Sequence, residues 1–401
     1  MIITININYL IKLNGDNINK LKILLLSLSI VGLVMFSGCI GDTTNNNNNN
    51  NNNVELPTLK VGYLPTDHHA SLFVAATYPD LFKNDGVYLK EIEPKKKYEL
   101  YENNKKVANV ELVRVNEGGA KIMAFMAQGQ VDVGLNGVPP AVFAIDKGTK
   151  AKIISAINSE GSAVVVRKDI PVNNWNEFVN YIKEQHAKGN QVKIGHPLPV
   201  SIQYVMIKDA LTAENITYTE GDDKNAMVKL INCKGQAQMP QLLSSKELDG
   251  VIAWEPTPEV IVTKGIGKVI VYSQDLPPKG QWENHPCCVL VASDNAIENK
   301  NNAVQAFLKL ITISTNKIDN NKSLAIDSSS SWLGVDKEVE ERSVPNIKYI
   351  TNPLLVEEGT INFVKVLNSQ NSLTGILKGA DDNKIKATMF DNELYEKLVN
   401  N

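Results

Sequence analysis

The chain has 401 residues, with 41 Lys and Arg against 44 Asp and Glu, and a formal net charge of −3. The part of the chain that follows the N-terminal region, from residue 54 on, is too long for one compact core, so two domains are expected. The charges are balanced and no basic tract follows the N-terminal region, which argues against nucleic acid as a partner.

The N-terminal segment has the pattern of a secretion signal. Lys12, Lys20 and Lys22 precede an apolar run over residues 23–36. That run matches a signal-peptide core but is short for a membrane span, which needs roughly 20 residues. Small residues precede Cys39, so we predict cleavage there and a lipid on Cys39. The alternative is an uncleaved anchor helix with an incidental cysteine.

An asparagine run over residues 45–53 follows the signal. It carries no apolar surface to bury and is expected to remain unfolded. We interpret residues 40–57 as a flexible tether that holds the folded part near the membrane.

The first predicted strand covers residues 59–64 (LKVGYL), where polar and apolar residues alternate. The turn after it carries His68, His69 and Ser71, and a helix follows. A turn between strand and helix lies at the sheet edge where α/β proteins bind small molecules, so these three residues are predicted to bind ligand.

The pattern of residues 110–148 predicts a strand, a turn and a helix, followed by a second strand, turn and helix. The two turns contain Gly118, Gly119, Asn136 and Gly137. Free N–H groups at the helix starts would favour an anionic or carbonyl-bearing ligand. The alternative is that these glycines only allow tight turns.

The same pattern of strand, polar turn and helix recurs later in the chain. A buried strand over residues 151–158 leads to Ser159, where we place a first crossing between lobes. A second strand ends in a turn with Gly195, His196 and Ser201, which are predicted to face the cleft. The alternative for His196 is a purely structural hydrogen-bonding role.

The strand over residues 250–254 ends at Trp254 and Glu255. Trp254 would supply a flat wall and Glu255 an acceptor or a charge. The alternative places Trp254 in the core and Glu255 at a helix cap. Because a carboxylate opposes a simple anion, Glu255 suits a ligand with an amine or amidine as well as an anionic group. We place His285 near a second crossing, at the floor of the cleft.

Three cysteines remain after Cys39, namely Cys233, Cys287 and Cys288. Cys233 could form a disulfide with either member of the adjacent pair, or all three could be buried thiols. CxxC zinc spacing is absent, so no metal site and no cofactor are predicted.

Three segments in this order resemble a known family: LFKNDGVYLKEIE, GGAKIMAFMAQGQVDVGLNGVPP and DGVIAWEPTPEVI. They are similar to the nitrate/sulfonate/taurine group of solute-binding proteins of ABC importers, which includes proteins that bind thiamine-precursor pyrimidines. The resemblance covers residues 59–294. It implies an α/β, two-lobed, periplasmic-binding-protein-like fold (type II) that closes about two hinge crossings. In that family the position of Trp254 meets the ligand.

The residue pattern predicts the signal and the tether, and the resemblance implies the lobes. The ranges are 1–39 for the signal, 40–57 for the tether, 58–160 for the first part of lobe 1, 161–284 for lobe 2, and 285–401 for the return to lobe 1 with the C-terminal helices.

The expected function is that of a lipid-anchored monomer on the extracytoplasmic face of the cell membrane. It would deliver a small ligand, such as a nitrate-, sulfonate- or taurine-like or related organic compound, to an ABC permease with its ATPase. The alternative is an enzyme or metal-binding protein on the same fold that uses His68, His69, His196 and His285. The chain has no HExxH motif and no nucleophile elbow, so we expect a binding protein rather than an enzyme.

Overall fold

The structure is a computed structural model, and it describes residues 55–400. The predicted signal, Cys39 and nearly all of the predicted tether lie outside these residues.

Fourteen strands are found in the described part of the chain. They are β1 (Thr58–Tyr63), β2 (Val87–Glu93), β3 (Lys97–Glu102), β4 (Lys105–Arg114), β5 (Val133–Gly137), β6 (Ala151–Glu160), β7 (Ser162–Arg167), β8 (Val192–His196), β9 (Tyr218–Thr219), β10 (Val228–Asn232), β11 (Gly250–Trp254), β12 (Gly267–Tyr272), β13 (Pro286–Ser293) and β14 (Ile347–Tyr349).

The α-helices of the same region alternate with the strands at first and dominate the C-terminal part. They are α1 (Ala70–Thr77), α2 (Asp80–Lys83), α3 (Gly119–Ala127), α4 (Val138–Asp146), α5 (Trp175–Ala187), α6 (Ile202–Ala213), α7 (Met239–Ser244), α8 (Thr257–Thr263), α9 (Asp294–Asn299), α10 (Asn301–Asn320), α11 (Lys322–Leu333), α12 (Lys337–Ser343), α13 (Leu354–Ser369), α14 (Asp382–Met389) and α15 (Asn392–Val399). Short 3-10 turns cover Asp67–His69, Ser273–Asp275 and Val344–Asn346.

The strands form two sheets, one in each lobe. The eight-stranded sheet of lobe 1 has the order β14-β6-β13-β5-β1-β4-β3-β2. Its strands β4, β1 and β5 are parallel, and β13 is antiparallel to both neighbours. The six-stranded sheet of lobe 2 has the order β12-β7-β11-β8-β10-β9, with β11, β8, β10 and β9 parallel. This is the two-lobed α/β fold that the sequence predicts.

The chain passes between the sheets twice. It leaves lobe 1 at the end of β6 and enters lobe 2 with β7, so the crossing is at Gly161, whose φ is +79°. It returns between β12 and β13. The first crossing is short, with one residue between β6 and β7.

Lobe 1 is held together by helices packed on a largely buried sheet. Every residue of β13 is buried, as expected for a central strand covered on both faces. Helix α10 is amphipathic and buries one side against the sheet, and Phe73 of α1 and Phe307 of α10 are fully buried. Burial of such a side chain stabilises the fold by about 1.5–3 kcal/mol.

Among residues 55–400, none of the helices combines the length and the apolar character that a membrane crossing requires.

Candidate ligand-binding cleft

A small cavity lies where strand ends of both lobes meet. Its lining residues come from the turn after β1, the starts of α3, α4 and α6, the end of β11 and the start of β13. They are Leu64, Thr66, His68, Gly119, Gly137, Pro139, Pro140, Leu198, Val200, Ser201, Ile202, Gln203, Trp254, Cys287 and Cys288. The cavity measures about 50 Å³, which is room for roughly four water molecules.

The lining is mostly apolar and carries no formal charge from Lys, Arg, Asp or Glu among the described residues. Helix α4 begins Val138-Pro139-Pro140, so two of its first three residues have no N–H to offer. At the start of α6 the Ser201 side chain already accepts the Tyr204 N–H at 3.3 Å. The starts of α4 and α6 therefore offer fewer free N–H groups to an anion than the sequence suggests.

His68 is the most constrained polar group of the cavity. Its Nε2 lies 2.9 Å from the Gly161 carbonyl oxygen, and its Nδ1 lies 3.2 Å from Asn158 Oδ1. Asn158 in turn donates from Nδ2 to the His68 carbonyl at 2.7 Å. A Cβ on Gly161 would come within 2.7 Å of His68 Nε2. Glycine is therefore required at this crossing by both its positive φ and the approach of the ring.

Cys287 and Cys288 face the same ring nitrogen. Their Sγ atoms lie 3.3 Å and 3.8 Å from His68 Nδ1, and 3.8 Å from each other. Adjacent residues of a regular strand point to opposite faces. Here the register of β13 against β6 shifts on both sides of Cys288, and this bulge turns both sulfurs toward His68.

These three groups shift one another's pKa. A hydrogen bond with Cys288 lowers the pKa of Cys287 well below its usual range, against the effect of burial, and His68 adds to the lowering. The same interaction raises the pKa of Cys288. Burial opposes a charge on His68, but the neighbouring Cys287 outweighs it and the pKa of His68 is raised. These directions favour a negative charge on Cys287 beside a positive charge on His68.

Contacts across the cleft join the two lobes. Thr66 Oγ1 donates to the Glu255 carbonyl at 2.7 Å, and Asn346 Nδ2 donates to Glu255 Oε1 at 2.8 Å. Arg342 pairs with Glu259 at 2.8 Å. The lobes are in contact around the cavity, as in a closed binding protein.

Glu255 has a different position from the one predicted for it. Its side chain is buried and faces Asn346, so it does not line the cavity. Burial raises the pKa of Glu255 well above its usual range, and the nearby Glu259 adds to this. The Glu255 carboxyl is therefore not placed in the cavity to oppose an anion, as the sequence alone suggested. Trp254, one residue earlier, does line the cavity.

Four further predicted residues are buried in lobe 1 without lining the cavity. His69 Nδ1 accepts the Leu64 N–H at 3.0 Å, and burial lowers the pKa of His69 to about 3. Ser71 and Ser159 lie inside the fold, with no partner found for either hydroxyl among the described residues. Asn136 Oδ1 accepts the Gly137 N–H at 3.0 Å.

The remaining predicted residues also lie outside the lining. A Cβ on Gly118 would meet Leu198 at 2.5 Å, so this turn touches the opposite lobe. Gly195 packs against Cys233 and Leu248 in lobe 2. The ring of His196 lies 4.5 Å from that of Tyr204. His285 Nδ1 lies 2.6 Å from the Trp282 carbonyl oxygen, and His285 borders a separate groove.

Predicted residues that do line the cavity are His68, Gly119, Gly137, Ser201 and Trp254. The four histidines of the alternative hypothesis do not form one group. Within residues 55–400, the cluster of possible metal ligands that includes a histidine is His68 with Cys287 and Cys288. Cys233 is a free, buried thiol, as are Cys287 and Cys288, so no disulfide joins them.

Comparison with known proteins agrees with this geometry. Residues 52–330 match the sequence model of the NMT1-like family. A protein of Methanocaldococcus jannaschii, named uncharacterized protein MJ1180, is 55% identical over 138 residues, which are 34% of this chain and 89% of that protein.

Three solved structures with a similar fold are named as ligand-binding proteins. The ligand-binding component of an ABC-type import system from Staphylococcus aureus, solved with zinc bound, has a TM-score of 0.64 at 18% identity and covers 85% of this chain and 99% of its own. The periplasmic nitrate-binding protein NrtA from Synechocystis PCC 6803 has a TM-score of 0.65 at 16% identity, with coverages of 86% and 89%. The alkanesulfonate-binding protein SsuA from Xanthomonas axonopodis pv. citri, bound to MOPS, has a TM-score of 0.57 at 13% identity, with coverages of 79% and 94%. These likenesses confirm the periplasmic-binding-protein-like fold.

Proposed function

The chain belongs to the NMT1-like family, and on that premise we propose that it is an extracytoplasmic solute-binding protein that delivers a small ligand to an ABC importer. The observation that carries the proposal is the partly open cavity between two lobes, with lining residues from both and a hydrogen bond between the lobes from the lining residue Thr66. A receptor that closes on its ligand needs this arrangement. Closure buries the ligand between the lobes and fixes the relative position of the two lobe surfaces that the permease would contact.

The small volume of the cavity favours a very small ligand. A volume of about 50 Å³ is far below the roughly 300–1,000 Å³ of pockets for drug-sized compounds. The solved neighbours are named for nitrate and alkanesulfonate, which sets the first compounds to test. The neutral, apolar lining disfavours an anion that arrives without a counter-charge, because no Lys or Arg of the described lining would compensate it.

A lipid on Cys39 and the asparagine tether would keep the receptor near its permease and ATPase. Both features lie in the part of the chain that the structure does not describe, and the sequence pattern is their support.

The test is ligand capture by the full-length protein in detergent. Native mass spectrometry of freshly purified protein should show an added mass. The variant Val200→Trp, which places a large side chain at the cavity wall, should lose it. Leu81→Trp is the matched control, because Leu81 is 44% exposed on α2 and is not part of the cavity lining. A folded Val200→Trp protein that retains the wild-type ligand would contradict the location of the site.

A further inference from the structure

We propose that the ligand of this cavity is a thiophilic transition-metal ion, held by His68 Nδ1, Cys287 Sγ and Cys288 Sγ. The inference rests on the proposed function, because it assigns a chemical class to the ligand of the same cleft. Sequence spacing gives no hint of it, since the three ligands come from the turn after β1 and from the bulged start of β13.

The distances between the three ligand atoms fit tetrahedral coordination of one metal ion. The three ligand atoms lie within 4.8 Å of one another, with separations of 3.3 Å, 3.8 Å and 3.8 Å. Zinc–sulfur and zinc–nitrogen bonds of ~2.3 Å and ~2.0 Å at tetrahedral angles place two sulfurs ~3.8 Å apart, and a sulfur and a nitrogen ~3.5 Å apart. The three atoms therefore need only small adjustments to share one ion.

The surroundings of His68 orient it as a metal ligand. With a proton on Nε2, the ring donates to the Gly161 carbonyl at 2.9 Å and turns the Nδ1 lone pair toward the sulfurs. Metal-binding histidines almost always donate their other N–H in this way, which fixes the tautomer and the ring plane. Asn158 holds the same turn by donating from Nδ2 to the His68 carbonyl at 2.7 Å.

Charge and softness select the kind of ion. Two thiolates neutralise a divalent ion, and thiolate with imidazole favours zinc or copper(I) over magnesium or calcium. The described lining offers no carboxylate that would recruit a hard cation. Three protein ligands leave one coordination position, which opens into the cavity and has room for water or one small anion.

Access to the site depends on the lobes. The cavity is closed by residues of lobe 2, including Leu198, Ile202 and Trp254, whereas the three metal ligands belong to lobe 1. Because His68 also contacts the crossing residue Gly161, the ion would sit at the hinge, where opening exposes it and closure buries it.

The experiment uses full-length protein in a Cys39→Ser background, metal-free and fully reduced, titrated with Co²⁺ as the probe. We expect one equivalent to bind and to produce the near-ultraviolet thiolate-to-cobalt absorption, and Zn²⁺ to displace it. Cys287→Ser and Cys288→Ser should each weaken Co²⁺ binding by more than ~100-fold, since each removes a direct ligand. Cys233→Ser is the matched control, because that buried thiol lies in the lobe 2 core and should leave binding unchanged.

Circular dichroism and thermal unfolding establish that each variant is folded. Absence of the thiolate absorption in the wild-type protein would overturn the inference, and so would its retention in the folded Cys287→Ser and Cys288→Ser proteins. The titration requires neither transport nor lobe closure. If it fails while mass spectrometry still finds a Val200-dependent ligand, the metal site is wrong and the solute-binding proposal stands.

Discussion

A buried carboxyl cluster behind the cleft should make the protein less stable as pH rises. Asp67 and Glu340 are both fully buried, and Asp67 accepts a hydrogen bond from Ser343. Burial, together with the neighbouring Asp67 carboxylate, raises the pKa of Glu340 to about 10. Glu340 is therefore protonated in the folded protein at neutral pH, whereas the unfolded chain releases that proton.

The sign follows from proton binding. Between the unfolded pKa, about 4.3, and the folded pKa, about 10, the folded state binds the extra proton. The stabilising contribution is complete below the lower value and is lost as pH rises toward the upper one. The slope for one proton is about 1.4 kcal/mol per pH unit. From pH 5.5 to 7.5 the Glu340 proton therefore accounts for a loss of up to about 3 kcal/mol in the free energy of unfolding.

Glu340→Gln keeps the shape of the side chain and removes the titration. Urea unfolding of wild-type and variant protein at pH 5.5, 6.5 and 7.5 should show a shallower decline in the variant, by roughly one proton's slope. Glu341→Gln is the matched control, since Glu341 is the exposed neighbour on the same helix. Equal slopes in the wild-type and Glu340→Gln proteins would refute the assignment of a protonated Glu340.

Three further outcomes follow from the cleft and the anchor. Thr66→Val removes the hydrogen bond to the Glu255 carbonyl, and such a bond typically contributes ~1 kcal/mol. Small-angle scattering of the ligand-free variant should therefore show a larger radius of gyration. An unchanged radius would mean that this bond does not hold the lobes together. Trp254→Ala should weaken ligand binding by at least ~2 kcal/mol in calorimetry, whereas unchanged affinity would make Trp254 a packing residue only. Cys39→Ser should release the protein from membranes in fractionation without altering ligand affinity, and a variant that stays membrane-bound would contradict the lipid assignment.

Sequence patterns located the cleft but not the direction of each side chain. Strand ends pointed to Gly119, Gly137 and Trp254, and all three line the cavity, because side chains and turns at one sheet edge converge. His68 and His69 could not be separated in this way. The 3-10 turn directs one ring into the cavity and the other back onto the Leu64 N–H, and turn geometry of this kind is not encoded in residue type.

The two cysteines show a second limit. Strand periodicity predicts opposite faces for Cys287 and Cys288, and the bulge that overrides it depends on pairing with β6, more than a hundred residues earlier in the chain. Glu255 shows the same dependence on distant partners. Its partner Asn346 comes from the return to lobe 1, so only the folded chain shows that the carboxyl serves the lobe contact.

Three consecutive residues after β1 join these separate features. Thr66 bonds to lobe 2, Asp67 belongs to the buried carboxyl cluster, and His68 contacts both the crossing and the cysteine pair. The Tyr349 hydroxyl donates to the Asp67 carbonyl at 2.9 Å and fixes the middle of the turn from the C-terminal part of the chain. A ligand that moves His68 must therefore also move a lobe contact and a buried carboxyl group, because a turn this short has no free residue to absorb the displacement. Ligand affinity, lobe closure and the pH dependence of stability should change together when this turn is altered, whereas a substitution on the exposed face of α2 should change none of them.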